Sequence, residues 1–375
     1  MAIATLPDVA VLFTELAAIA SPPGHERPVA DLVLKYLRDL RLEPHEDDTG
    51  PQIGSSMGNV FVRIEGTAEG TPIFLCAHLD TVPPEGAIEP VVTDGVIRNA
   101  AGTILGADNK AAVAVMLEGA RRLLAENRPH AGLELLFTAK EEVGLLGAGA
   151  FDHTRLRAGV GFVYDQAAPI GEIILGAPHS HSMEVRFHGR AAHAGMYPEE
   201  GRSAIAAAAK AIADFRLGRL DDETSANVGV IEGGTAGNVV PEWCRFLAEA
   251  RSHDERKLAD VVREMMETVA FGATVAECEV ETDVHKSYSG YRFRRDELPV
   301  RLASGALEAC GYVPRLELTG GGADANVFNE RGLQCLNLAN GMANIHTPEE
   351  EIAVADLEGM VEVTLALIDA AREAD

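Results

Sequence analysis

The stretch LELLFTAKEEVG, residues 133–144, passes from the apolar run LELLF into two adjacent glutamates, Glu141 and Glu142. A short apolar run bounded by polar residues reads as a buried strand. Side chains at i and i+1 do not share a face on a strand, and they diverge on a helix. If both carboxylates matter, they hold different jobs.

Outward from that strand, the first half of the chain alternates strands and helices. IFLCA (73–77) and GFVY (161–164) are further buried-strand runs, and NKAAVAVMLEGARRLLAE (109–126) is a strong helix. Such alternation with short connections predicts an α/β sheet covered by helices. The pattern changes after GAPHS (176–180). HSMEVRFHG (181–189) alternates with period two, and the helix GRSAIAAAAKAIADF (201–215) follows. TSANVGVIEGG (224–234), EWCRFLAEAR (242–251), a helix from Asp254 and TVAECEVETDV (274–284) complete a βαββαβ order. That is the split-βαβ arrangement of a small open sandwich. The α/β pattern resumes with LPVRLASGALEAC (298–310), LQCLNLA (333–339) and a last helix from Ala355. The expected organisation is an α/β domain over 1–179 and 289–375, with a βαββαβ domain inserted at 180–288.

A chain of 375 residues is long for one core, which agrees with two domains. An apolar fraction of 47% argues against disorder. The formal net charge of −26 repels phosphate backbones and anionic lipid, so nucleic acid and membrane surfaces are not expected partners. Cys76, Cys244, Cys278, Cys310 and Cys335 are scattered, odd in number and form no CxxC pair. They are neither a disulfide framework nor a thiolate zinc site, and point to a reducing cytoplasm. The stretch 1–21 has no basic leader, and Asp8 and Glu15 interrupt it. It reads as an amphipathic helix rather than a signal peptide. No run approaches the roughly 18 apolar residues of a membrane span.

The ionisable residues of the large domain fall beside its elements in a pattern. His78 and Asp80 follow IFLCA, Glu141 and Glu142 follow LELLF, and Asp165 follows GFVY. Asp108 precedes the strong helix, and His346 follows LQCLNLA. Open α/β sheets bind ligands at the carboxyl ends of their strands. A lone Asp after a strand is ordinarily a cap or turn residue, but five segments delivering His or carboxylate to one edge form a site. Carboxylates crowded without cations repel and protonate. Metal ions remove that cost, and His with Asp/Glu but no Cys suits zinc, cobalt or manganese. Charge counting points to two ions: Asp108, Glu142 and Asp165, with a bridging hydroxide, offset two divalent charges. One of the adjacent glutamates is then free to bind metal and the other to act as general base. The residues alone do not say which is which.

CAHLDTVPP (76–84), GADNKAAVAVML (106–117), AKEEVGLLGA (139–148), GRAAHAG (189–195), GGTAGNVVPE (233–242), GGGADANVFN (320–329) and HTPEEEI (346–352) occur in that order. Together they resemble the peptidase T, carboxypeptidase G and acetylornithine deacetylase family of di-zinc hydrolases, over nearly the whole chain. YDQAAPIGEIILGAPHS (164–180) looks most like the peptidase T branch. The resemblance implies a zinc-exopeptidase-like three-layer α/β catalytic domain carrying a ferredoxin-like lid and dimerisation domain. It implies two Zn²⁺ per subunit, with Co²⁺ or Mn²⁺ as substitutes. His78 and Asp165 would bind one ion, Glu142 and His346 the other, and Asp108 would bridge them. Glu141 would be the general base, and Asp80 would hold the His78 tautomer. A cis peptide is implied at Asp108–Asn109. His193 would enter the partner subunit's site in a homodimer and stabilise the oxyanion. Asn238 and Arg251 match substrate positions, with Arg251 suited to a substrate carboxylate. Lys110 and Lys140 read as structural.

The reading is a cytoplasmic zinc metallo-exopeptidase that releases N-terminal residues from short peptides, a tripeptidase by branch resemblance. A dipeptidase, or an amidohydrolase of N-acyl amino acids, uses the same chemistry with another pocket. A glutamyl-aminopeptidase type shares the DNK and EEVGLLGA-like segments, but HAG and the insert disfavour it. An inactive scaffold on this fold predicts a missing ligand or base, and none is missing.

Overall fold

The apolar runs pair with one another. In the computed structural model, which describes residues 7–374, strands Leu133–Thr138, Ile73–His78, Val160–Gln166 and Gln334–Ala339 lie side by side, parallel, in that order. Nearly every residue in them is buried, which is why they read as continuous apolar runs rather than as alternating ones. Strand Val60–Ile64 adds antiparallel on one side, with His45–Glu46 beyond it. Strand Glu172–Ala177 adds antiparallel on the other. Gly161 allows close packing between neighbours, since a Cβ there would meet Phe74 Cζ at 2.0 Å.

Helix Ala107–Ala125 is buried at every position from Ala111 to Ala120. A helix buried on every side needs neighbours all round. It packs on strand Ile73–His78 and on helices Asp8–Ala17 and Val354–Glu373, and the last of these packs on Leu298–Ala309. Each Val, Leu or Met fully buried there contributes roughly 1.5–3 kcal/mol. The N-terminal stretch read as a helix over 1–21 is helical at Asp8–Ala17; residues 1–6 lie outside the described residues. Strands Pro90–Thr93, Val96–Asn99 and Glu351–Ala353 form a separate antiparallel sheet that the sequence reading missed. Alternation over three or four residues does not stand out from a loop.

The chain divides into two units, one being Ala177–Tyr291 and the other the remainder. The limits fall three residues outside the expected 180–288 at each end. The inserted unit is an antiparallel sheet in the order Gly218–Arg219, Thr224–Gly233, Trp243–Ser252, His179–His188, Glu279–Tyr288. Apart from the two-residue strand, too short to carry a period, this is the expected βαββαβ order. Met183, Val185 and Phe187 point inward by strand alternation and join Phe215 and Phe246 beneath the helices Ala204–Asp214 and Glu255–Val275. Ser203 Oγ caps the first of these helices by accepting from the Ala206 N–H. Among the described residues no helix is long and apolar enough to cross a membrane.

Candidate active site

The four parallel strands bring their carboxyl ends to one edge, and the ionisable residues stand there. His78 is the last residue of its strand, paired in register with Thr138, and Glu141 and Glu142 follow Thr138 after Ala139 and Lys140. Asp165 is the penultimate residue of Val160–Gln166. His346 lies in the loop after Gln334–Ala339, at φ 62, an uncommon left-handed conformation for a side-chain-bearing residue. Asp108 enters from the start of helix Ala107–Ala125, where Asp108 and Asn109 leave helical geometry and their shared peptide is cis.

These residues form two overlapping groups: His78 with Asp108 and Asp165, and Asp108 with Glu142 and His346. Asp108 uses one oxygen for each. Its Oδ1 lies 3.1 Å from His78 Nε2, and its Oδ2 lies 3.2 Å from His346 Nε2. Asp165 Oδ1 is 3.7 Å from the same His78 nitrogen, and Glu142 Oε1 is 3.1 Å from His346 Nε2. Glu141 belongs to neither group.

The supports are as particular as the ligands. His78 Nδ1 lies 2.9 Å from the backbone carbonyl of Asp80 and 3.5 Å from its carboxylate. The carbonyl therefore sets the tautomer more directly than the side chain expected to do so. The Asp80 carboxylate instead accepts the Glu141 and Glu142 N–H groups at 2.9 and 3.1 Å, fixing the glutamate loop. That loop also closes on itself, with Gly144 and Leu145 N–H donating to the Glu141 carbonyl. Asn337 holds Asp165 from both sides: its Oδ1 accepts the Asp165 N–H at 2.9 Å, and its Nδ2 donates to the Asp165 carbonyl at 3.1 Å. Glu350, 1% exposed, accepts the N–H groups of Leu105, Gly106 and Asp108. Buried Lys110 donates to the Ile19 carbonyl, the structural duty expected of it. Lys140 Nζ likewise donates to the Ile53 carbonyl at 2.9 Å.

Asn337 and Glu350 escaped the sequence reading. Asn337 carried a faint signal, a polar residue inside a buried run. Glu350 carried none, since it stands between two other glutamates. Asp324 also lies close, accepting from Thr138 Oγ1 at 2.5 Å and from the Cys76 thiol at 3.7 Å. Asp324 lies in the motif GGGADANVFN and has no role in the sequence reading.

The electrostatics are those of a site built for added positive charge. Burial pushes Asp165 well above the usual carboxylate range, and the charge of Asp108 adds to it. Burial likewise raises Glu141, with Asp165, Asp324 and Glu142 adding and His78 opposing. Burial brings Asp324 up to about 6. Burial would lower His78, but the nearby carboxylates of Asp108, Asp165 and Asp80 outweigh it and push the imidazole well above its usual value. Hydrogen bonds with Asp108 and Glu142 raise His346 to about 10. Without added cations, the carboxylates favour protons on the imidazole nitrogens that face them. Divalent ions would take those lone pairs as ligands and supply the balancing charge. The mixed imidazole and carboxylate donors, without sulfur, fit a pair of such ions.

His193, Asn238 and Arg251 belong to the inserted unit. His193 and Asn238 are brought together: His193 bridges to Val239, and the Ala194 N–H donates to the Asn238 carbonyl at 3.0 Å. His193 Nδ1 accepts the N–H groups of Gly195 and Met196, each at 3.2 Å. A nitrogen accepting two N–H groups carries no proton, so the ring's proton sits on Nε2. Arg251 is half-buried and bonds Glu249 Oε2 at 2.9 Å.

Residues 176–277 match the M20 peptidase dimerisation domain, and residues 59–194 match peptidase family M28. The structure of aminopeptidase PepT from Bacillus cereus is similar at 38% identity and TM-score 0.86, over 97% of this chain and 98% of that one. A tripeptidase structure from Staphylococcus aureus is similar at 32% identity and TM-score 0.91, over 98% of both chains. Protein YqjE of Bacillus subtilis is 36% identical over 96% of this chain and 97% of its own length.

Proposed function

The chain belongs to the M20 peptidases, on their peptidase T-like side, and from that premise we propose that it is a dinuclear zinc exopeptidase releasing the N-terminal residue of short peptides, tripeptides above all. The observation that carries this reading is the sharing of Asp108 between two His/carboxylate groups, with Glu141 beside them and in neither. The aminopeptidase and tripeptidase named above supply the substrate class.

His78 and Asp165 would hold one ion, Glu142 and His346 the other, with Asp108 between them. Bound there, a pair of divalent ions lowers the pKa of water and polarises the scissile carbonyl. Glu141 takes the proton of the attacking water and returns it to the leaving nitrogen. A general base has to stand at the nucleophile without being used as a ligand. Its backbone is held by Asp80, so the carboxylate is aimed before substrate arrives. His193 acts from the inserted unit as a neutral Nε2–H donor to the oxyanion. In this reading the inserted unit is lid and dimerisation surface, and each His193 completes the site of its partner in a homodimer. Asn238 binds substrate beside His193. Arg251 binds a substrate carboxylate by exchanging it for Glu249.

A panel of tripeptides, dipeptides and N-acetyl amino acids, offered with zinc and with manganese, tests the assignment. Tripeptides should be cleaved at the first bond with the highest kcat/KM. Turnover confined to N-acetyl amino acids would contradict it.

A further inference from the structure

We propose that Glu350 is a positioning residue whose carboxylate aims Asp108 at both metal positions at once. The inference rests on the reading of Asp108 as the shared ligand.

The segment 105–108 has to turn sharply to present Asp108. Gly106 sits at φ +79, and a Cβ there would lie 3.2 Å from Thr81 Cγ2. The turn leaves three buried N–H groups without helical partners, as the start of any helix does. One carboxylate takes all three. Glu350 Oε2 accepts Leu105 and Gly106 N–H, each at 2.7 Å, and Oε1 accepts Asp108 N–H at 2.9 Å. Glu350 is itself fixed: the next residue opens strand Glu351–Ala353, paired with Val96–Asn99. Four residues before it stands His346, so one carboxylate ties the loop of one ligand to the backbone of another. Asp108 has to keep one oxygen toward His78 and the other toward His346, and a small rotation of its backbone spoils both.

Glutamine at 350 has the same shape but only one acceptor oxygen. It can serve Leu105 and Gly106, but its NH₂ group then faces the Asp108 N–H, donor against donor. Groups that orient metal ligands typically change metal affinity about 10–100-fold when removed. Glu350→Gln should therefore weaken zinc at both positions by about that factor, measured by competitive chelator titration with metal counting. Glu350→Asp keeps both acceptor oxygens on a shorter arm and should recover part of the affinity. Melting separates positioning from scaffolding, because a bound ligand stabilises according to its affinity. Positioning predicts a smaller zinc-induced rise in Tm for Glu350→Gln than for the wild type. A purely structural role lowers the metal-free and zinc-loaded Tm alike and leaves the rise unchanged, which would overturn the proposal. If Glu350→Gln does not fold, the titration of Glu350→Asp decides, and wild-type affinity there overturns it. Wild-type protein that takes up no divalent ion would sink the metal reading itself. Wild-type protein with two ions and a Glu350→Gln variant of equal affinity would sink this inference alone.

Discussion

The centre around Asp108 and the loop around His193 hold their polar side chains in different ways. In the first, His78 and Asp108 are 2% and 6% exposed; His78 is bonded to the Asp80 carbonyl and to Asp108, and Glu350 accepts the Asp108 N–H. In the second, His193 is exposed, and its ring accepts a pair of N–H groups on Nδ1. A buried cluster of charge needs close partners, and many of those of the centre lie in its own unit. An exposed ring, locked on one nitrogen and free to donate from the other, fits work done on a molecule outside that unit. Under the proposed function the centre would hold ions and the loop would donate to an acceptor.

The largest expected effect separates ligand from base within the centre. Glu141→Gln should retain wild-type metal content and lose about 10²–10⁴-fold in kcat, because the amide keeps the shape and removes the proton acceptor. Metal analysis of the purified variant checks it. Loss of an ion from this variant, and none from Glu142→Gln, would exchange the two roles.

Next in size is the loop. His193→Ala should keep its ions and its fold and lose about 10²–10³-fold in turnover, the usual cost of one oxyanion donor. Mixing it with Glu141→Gln tells whether the loop serves its own chain or a partner. If it acts across a two-fold dimer, random exchange gives about half mixed dimers, and roughly a quarter of all sites carry no lesion. Activity then returns. Where tagged subunits demonstrably exchange and the mixture stays as inactive as its parents, the trans role is wrong.

A third test divides the centre itself. His78→Ala should weaken one metal position and His346→Ala the other, by tenfold or more, with Asp108→Ala disturbing both. Chelator titrations that show the same position lost in the two histidine variants would break the two-group description. The smallest effect belongs to the inserted unit's scaffold. Ser203→Ala removes the cap of helix Ala204–Asp214 and should cost about 1 kcal/mol in unfolding free energy. Metal content should not change, and a change would mean that the inserted unit is coupled to the centre through its fold.

The gathering of His78, Asp108, Glu142, Asp165 and His346 was legible because several segments each set a His or a carboxylate beside an apolar strand or helix. The βαββαβ insert was legible because its strands run to ten residues and show their period. The supporting residues were not. Glu350 acts through backbone N–H groups more than two hundred residues away in sequence, and no local pattern encodes that. The tautomer of His78 is set largely by a carbonyl, which every residue possesses. The three-stranded sheet that carries Glu351 is made of pieces too short to announce themselves.

The central claim is that Asp108 stands between two metal ions, and anomalous diffraction from zinc-loaded crystals at the zinc edge tests it most directly. The account predicts two peaks per chain, roughly 3.5–4 Å apart, one beside His78 and Asp165 and the other beside Glu142 and His346, with the Asp108 carboxylate between them. A single peak, or two peaks with Asp108 turned from either, would contradict it.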